Sequence, residues 1–176
     1  MRSLVNARRA AVPLRGVVPW HRWLWISALV IVLDRITKAA ILAAFRPGEE
    51  LPVLPFFSLV LAFNPGAAFS FLADQPGWQR WLFACVAAVA SVAIVWFLRR
   101  GGSRMFLLAL ALILGGALGN LWDRLAIGQV VDFLLFHWRG WAYPAFNVAD
   151  SAITVGAALL IIDSFRTRRE PQREVG

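Results

Sequence analysis

Four stretches of this chain are too long and too apolar to fold around an aqueous core alone. They run from about Trp23 to Ala44, Trp81 to Leu98, Met105 to Trp122 and Ala149 to Phe165. A helical bilayer crossing takes roughly 17–25 mainly apolar residues, and each stretch reaches that length. Trp23, Trp81, Trp96 and Trp122 stand near the ends, where interfacial tryptophans are expected. Of the 176 residues, 60% are hydrophobic and 16% charged. A soluble domain averages nearer half and a quarter, so the excess calls for lipid as solvent. The length suits one domain.

The net charge of +8 raises the question of nucleic acid, and the positions of the charges answer it. Arginines crowd the N-terminus (Arg2, Arg8, Arg9, Arg15, Arg22), one short link (Arg99, Arg100, Arg104) and the C-terminus (Arg166, Arg168, Arg169, Arg173). The other two loops hold only Arg46, Arg80, Arg124 and Arg139. This is the positive-inside pattern of a membrane protein, with both termini cytoplasmic and the 45–80 and 123–148 regions outside. No nucleic-acid partner is expected. The chain divides into a basic cytoplasmic extension (1–22), a four-helix membrane domain (23–165) and a basic cytoplasmic tail (166–176). Basic residues before an apolar stretch resemble a secretory signal. Asp34, Arg35 and Lys38 interrupt that stretch, and no small-residue cleavage site follows, so it reads as a retained first helix.

Two regions break the helical pattern. In 45–80, Leu51 to Phe63 and Ala67 to Leu72 read as extended segments around a turn at Asn64-Pro65-Gly66. Gln129 to Phe136 reads as another extended run, followed by a Trp-rich stretch, His137 to Tyr143, suited to the membrane surface. The single cysteine, Cys85, excludes an intramolecular disulfide and a cysteine-based zinc site and reads as a small buried hydrophobe. His21 and His137 are isolated, and no metal or cofactor is expected.

Charges in apolar surroundings are costly, so they face a bundle interior or a wet cavity and become functional candidates. Asp34 and Lys38 are spaced i, i+4 and can pair on one helix face; Asn120 and Arg124 share a face in the same way. Asn147 is a candidate N-cap for the fourth helix, with Asp150 in its first turn, where the helix dipole favours an anion. Asp123 reads as paired with a neighbouring cation, and Asp163 as an ordinary charge at a helix end. Asp132, within Val130-Val131-Asp132-Phe133-Leu134-Leu135, is desolvated unless partnered. Asp132 and Asp150 fall on the same outer side. Two close carboxylates share one proton, which suits an aspartic-peptidase dyad. An ion pair or a proton relay fits the same two residues.

Five blocks, in order, resemble the bacterial lipoprotein signal peptidases (signal peptidase II). They are Asp34-Arg35-Ile36-Thr37-Lys38, then Asn64-Pro65-Gly66-Ala67-Ala68-Phe69-Ser70, then Gly116 to Arg124 with its Gly-Asn-x-x-Asp-Arg core. Val130-Val131-Asp132-Phe133 and Phe146 to Ser151 complete the set. The similarity spans roughly Trp23 to Phe165. It implies four transmembrane helices with a small extracytoplasmic β-layer, in the bacterial inner membrane with the active site at the periplasmic face. It also implies an aspartic endopeptidase that cleaves diacylglyceryl-modified prolipoproteins before the lipidated cysteine, inhibited by the cyclic peptide globomycin. Asp132 and Asp150 match the catalytic pair. Asn64, Asn120, Arg124 and Asn147 match polar residues around the substrate, and Asp34 and Lys38 match supporting ones. The rival reading is a small proton-coupled transporter using the same aspartates. It would more naturally show paired repeats or broken helices at mid-bilayer, and the sequence has neither.

Overall fold

The computed structural model describes residues 19–66 and 75–167. A 3-10 turn (Trp20–Trp23) leads into α1 (Leu24–Ala44). A hairpin, β1 (Glu50–Leu54) and β2 (Phe57–Asn64), follows, then α2 (Trp78–Arg100) and α3 (Arg104–Ala126). A second hairpin, β3 (Val130–Trp138) and β4 (Trp141–Ala142), precedes α4 (Val148–Thr167). Three helices, α2, α3 and the Val148–Arg166 part of α4, are long and apolar enough to cross a membrane. The remaining helix, α1, has 21 residues and carries Asp34, Arg35 and Lys38 in its second half.

The third helix is the hub, touching all three others. Its glycines explain how they approach. A Cβ on Gly116 would lie 2.3 Å from the Ala149 carbonyl oxygen of α4, and one on Gly115 would lie 2.7 Å from Val30 Cβ of α1. Lipid supplies no hydrophobic drive between helices, so close backbone packing through small residues takes its place. Ser27 adds a hydrogen bond from its Oγ to the Ala111 carbonyl, 2.7 Å. At the end of the bundle remote from the sheet, Ile94, Leu98, Leu107, Leu110 and Leu114 form a buried apolar cluster.

The outward faces stay apolar: Val86, Val89 and Val92 of α2 are exposed. Cys85 lies on this face as well, exposed rather than buried. On a membrane helix the solvent itself is apolar, so a hydrophobe there needs no protein cover.

The strands form one antiparallel sheet in the order β1-β2-β3-β4. Its inner face packs on the end of α1 through Ile41, Leu61, Val131 and Phe133. The chain turns at Asn64-Pro65-Gly66 as the sequence suggests, with Asn64 Oδ1 accepting from the Gly66 N–H. A further turn at Pro55-Phe56, with Leu54 opposite Phe57, divides the run Leu51 to Phe63, expected as one extended segment, into two paired strands. Proline presets the φ angle of a turn's second residue, and Pro55 occupies that position. Pro52 lies in β1, at the sheet edge, where a missing N–H costs least. The expected segment Ala67 to Leu72 lies outside the described residues. A register shift between Leu59 and Ala62 brings Asn64 opposite Val130.

Candidate active site

Alternation along β3 sorts its side chains. Val131 and Phe133 turn into the packing against α1, while Val130 and Asp132 line a cavity of about 700 Å³. Asn64 on β2, Asn120 and Arg124 on α3, and Asp150 on α4 line the same cavity, together with Tyr143 and Phe146. Asp132 and Asp150, 18 residues apart in the chain, thus face one space.

Asn147 joins them. It caps α4: its Oδ1 accepts from the Asp150 backbone N–H at 2.9 Å, and its own N–H donates to Asp150 Oδ2 at 3.3 Å. This reciprocal capping box satisfies helix-end donors that otherwise lack partners. The Asn147 amide Nδ2 donates to Asp132 Oδ1 at 2.7 Å. One capping asparagine therefore holds both carboxylates. Asp132 Oδ2 accepts from Asn64 Nδ2 at 3.1 Å, and Asn64 Oδ1 accepts from the Gly66 N–H at 3.0 Å. Asp150 Oδ1 accepts from Asn120 Nδ2 at 2.7 Å.

Beneath the pair lies a charged layer. Lys38, fully buried, reaches Asp34 Oδ2 at 2.8 Å and Asp123 Oδ2 at 2.7 Å. Its Nζ also donates to Asn120 Oδ1 at 3.1 Å. Arg35 pairs with the other oxygen of Asp123 and stacks over Trp122. Asp34 Oδ1 accepts from the Ala149 N–H at 3.0 Å, tying α1 to the start of α4. Asp123 Oδ2 accepts from the Val131 N–H at 3.3 Å, tying α3 to the strand that carries Asp132. Arg124 Nη2 donates to the Gly66 carbonyl at 3.0 Å.

Burial pushes the Asp132 carboxyl up to about 7, with the charge of Asp150 adding to the rise. Hydrogen bonds from Asn64 and Asn147 and the charge of Lys38 oppose it. Asp132 is 2% exposed, so loss of hydration dominates.

All eight residues singled out in the sequence belong to this assembly: Asp132, Asp150, Asn64, Asn120, Arg124 and Asn147 at the cavity, Asp34 and Lys38 below it. Asp123 is more than a locally paired charge. Its partners Lys38 and Arg35 come from another helix, 85 and 88 residues away. The i, i+3 spacing of Asn120 and Asp123 puts both on one helical face and could have flagged it. Ser151, at the end of the fifth block, lines the cavity as well, as do Thr154 and Tyr143, which the sequence did not single out for the site. His137 bonds Ser58 Oγ at 2.9 Å on the sheet, away from the cavity. Asp163 accepts from Ser103 Oγ at the remote end of the bundle. Among the described residues, no three His, Cys, Asp or Glu side chains are grouped to hold a metal ion.

A family model described as signal peptidase (SPase) II matches residues 26–166. The chain is 53% identical over 158 residues to the lipoprotein signal peptidase of Pseudomonas aeruginosa PAO1, covering 88% of this chain and 94% of that one. It is 57% identical over 155 residues to that of Ralstonia nicotianae, covering 88% of each. A solved bacterial membrane enzyme, determined by the in meso method at 2.3 Å resolution, superposes with a TM-score of 0.78. It shares 30% identity and covers 89% of this chain and 95% of its own.

Proposed function

This chain belongs to the signal peptidase II family, and from that premise we propose that Asp132 and Asp150 are its catalytic dyad. The protein is a membrane peptidase that removes signal peptides from prolipoproteins. The finer reading is an aspartic endopeptidase acting on diacylglyceryl-modified prolipoproteins and cutting before the lipidated cysteine. One observation carries it: Asn147 hydrogen-bonds both carboxylates where they face a common cavity.

Charge balance supports a shared proton. Asp34, Asp123, Asp132 and Asp150 stand among Lys38, Arg35 and Arg124, four acids against three cations. Buried charge is tolerated when paired, so one carboxyl of the set keeps its proton, and Asp132 and Asp150 are the pair without a cation in direct contact. The ionised member takes a proton from water as the water oxygen attacks the scissile carbonyl carbon. The protonated member donates to the carbonyl oxygen. Collapse of the tetrahedral intermediate breaks the C–N bond: the proton taken from water passes to the leaving amine, and a hydroxyl of the intermediate returns its proton to the carboxylate that had donated one, leaving a carboxylic acid product. Both carboxyls return to their starting states. Asn64, Asn120 and Asn147 hold the carboxylates in place, and Arg124 binds the Gly66 carbonyl at the cavity margin.

The family setting supports an inner-membrane protein with four crossings, α1 being the fourth. Its charges are compensated inside the bundle, which removes the objection to a span. Arg99 stacks on Trp20, and Ser103 bonds Asp163, so the 3-10 turn before α1, the arginine-rich α2–α3 link and the last turns of α4 share one end of the bundle, opposite the sheet. That supports cytoplasmic termini and a periplasmic active site. Globomycin is the expected inhibitor. Nothing among the relatives supports proton-coupled transport.

The test is cleavage of a diacylated prolipoprotein by the purified protein in detergent or nanodiscs. Asp132→Asn and Asp150→Asn should each abolish cleavage while melting cooperatively, and globomycin should block the parent protein. Near-normal turnover by either variant removes the dyad.

A further inference from the structure

The two members of the dyad are not equivalent, and the difference starts at α1. Lys38 has only donors to offer, and its Nζ lies 3.1 Å from Asn120 Oδ1. That contact fixes which way the Asn120 amide points: its oxygen faces the cation, so its Nδ2 faces outward. The outward Nδ2 lies 2.7 Å from Asp150 Oδ1. The flipped amide would set NH2 against NH3⁺ and oxygen against carboxylate, two repulsive contacts in place of two attractive ones. Asn147 Nδ2, 3.3 Å from Asn120 Oδ1, favours the same orientation. Asp150 also accepts the Asn147 backbone N–H in the first turn of α4, where the helix N-terminus favours an anion. Asp132 feels the charge of Lys38 too, but has neither a helix N-terminus nor an amide oriented by a direct contact with the cation. Its donors are two neutral amides, and it stands on a strand.

We infer that Lys38 is a positioning residue that acts through Asn120 to keep Asp150 the ionised, water-activating member of the dyad, leaving the proton on Asp132. This rests on the dyad reading above and goes beyond it by assigning the two roles. Among the described residues, the groups that bear on the pair are few. Lys38 approaches from α1 and Arg124 from α3; β2 contributes only the neutral Asn64, and α4 its own N-terminus. Asp34, Asp123 and Arg35 are engaged with Lys38 or with one another. With Lys38 and Arg35 set against Asp34 and Asp123, the layer beneath Asn120 is neutral overall, yet the atom that touches Asn120 is the cation.

The experiment removes the cation without stranding its two partner carboxylates: Asp34 is neutralised with it, and Asp123 keeps Arg35. In the double variant Asp34→Asn/Lys38→Gln, size and hydrogen-bonding capacity persist, but the amide of Asn120 is free to turn. Peptide cleavage is followed from about pH 5 to about pH 9. The expected result is a kcat down about 10- to 100-fold with KM within about twofold. The acid limb of kcat/KM should move up by about one pH unit, the size of one hydrogen bond to a charged group. Asn120→Ala should shift the limb the same way, and combining the changes should shift it by less than the sum. Lys38→Arg, which keeps charge and donor, should restore the parent limb even where its rate is low. A merely structural role would lower the melting temperature and the rate but leave the limb in place. An unshifted limb in both Asp34→Asn/Lys38→Gln and Asn120→Ala overturns the inference. Those outcomes are distinct from failure of the dyad itself, which would appear as activity in Asp132→Asn or Asp150→Asn.

Discussion

Asp132 places a titratable group where water is nearly absent, and this has a cost that stability measurements can read. An unfolded aspartate titrates near 4, whereas burial and the neighbouring Asp150 push this one up to about 7 in the fold. Between those values the folded chain binds the extra proton. Asp132's favourable contribution is therefore complete below about pH 4 and is lost as pH rises through about 7. Asp132→Asn removes the charge but leaves Asn147 and Asn64 within reach of an amide. The variant should melt higher than the parent at about pH 8, and the gap should close toward about pH 5. A gap independent of pH would show that the raised carboxyl is not its source. An inactive but more stable variant is what is expected of a site built around a desolvated acid.

Elements hold these residues in place by approaching closely. The first turn of α4 carries Asp150, and it lies against α3 at Gly116, where any side chain would meet the Ala149 carbonyl at 2.3 Å. Backbone cannot yield as a flexible side-chain tip can, so Gly116→Val must push the start of α4 away. Overpacking of this kind costs about 1–3 kcal/mol, and small displacements at a catalytic group cost far more in rate. Gly116→Val should lose cleavage by at least about 100-fold with a lower melting temperature. Val89→Ala, on the exposed face of α2, should alter neither. Equal effects from the two would remove α3–α4 proximity as the cause. Asp34 and Asp123 do the complementary work with hydrogen bonds to Ala149 and Val131, each one residue from a dyad member.

At the scale of the whole molecule, the topology separates two chemistries. Trp20, Arg99, Ser103 and Asp163 lie at one end of the bundle, and the sheet, cavity and exposed Trp138 and Trp141 at the other. With Cys85 replaced by serine, a single cysteine at Arg100→Cys or Trp141→Cys reports the side. A membrane-impermeant thiol reagent should label Trp141→Cys in intact spheroplasts and Arg100→Cys only after permeabilisation. The reverse pattern would turn the protein over and place the cavity in the cytoplasm.

How much of this was legible beforehand follows from the range of the forces involved. Apolar runs are local in sequence, so the helices could be read directly. Asp34–Lys38 and the Asn147 cap are also local, set by helical spacing. The turn at Pro55-Phe56 is not legible because it interrupts a continuous apolar run, and only the pairing of the two halves as β1 and β2 divides it. Cys85 was misread because hydrophobicity does not distinguish a buried face from a lipid-facing one. The i, i+3 spacing with Asn120 marks Asp123, but its partners lie on another helix and only the fold identifies them. By itself, then, the sequence determined a membrane bundle with costly acids near one face and the family motifs that go with them. Only the tertiary structure decided that one capping asparagine holds both acids, and that a lysine on α1 orients the amide touching one of them. Those relations depend on side chains far apart in the chain and meeting at 2.7 to 3.3 Å, and only packing brings them together.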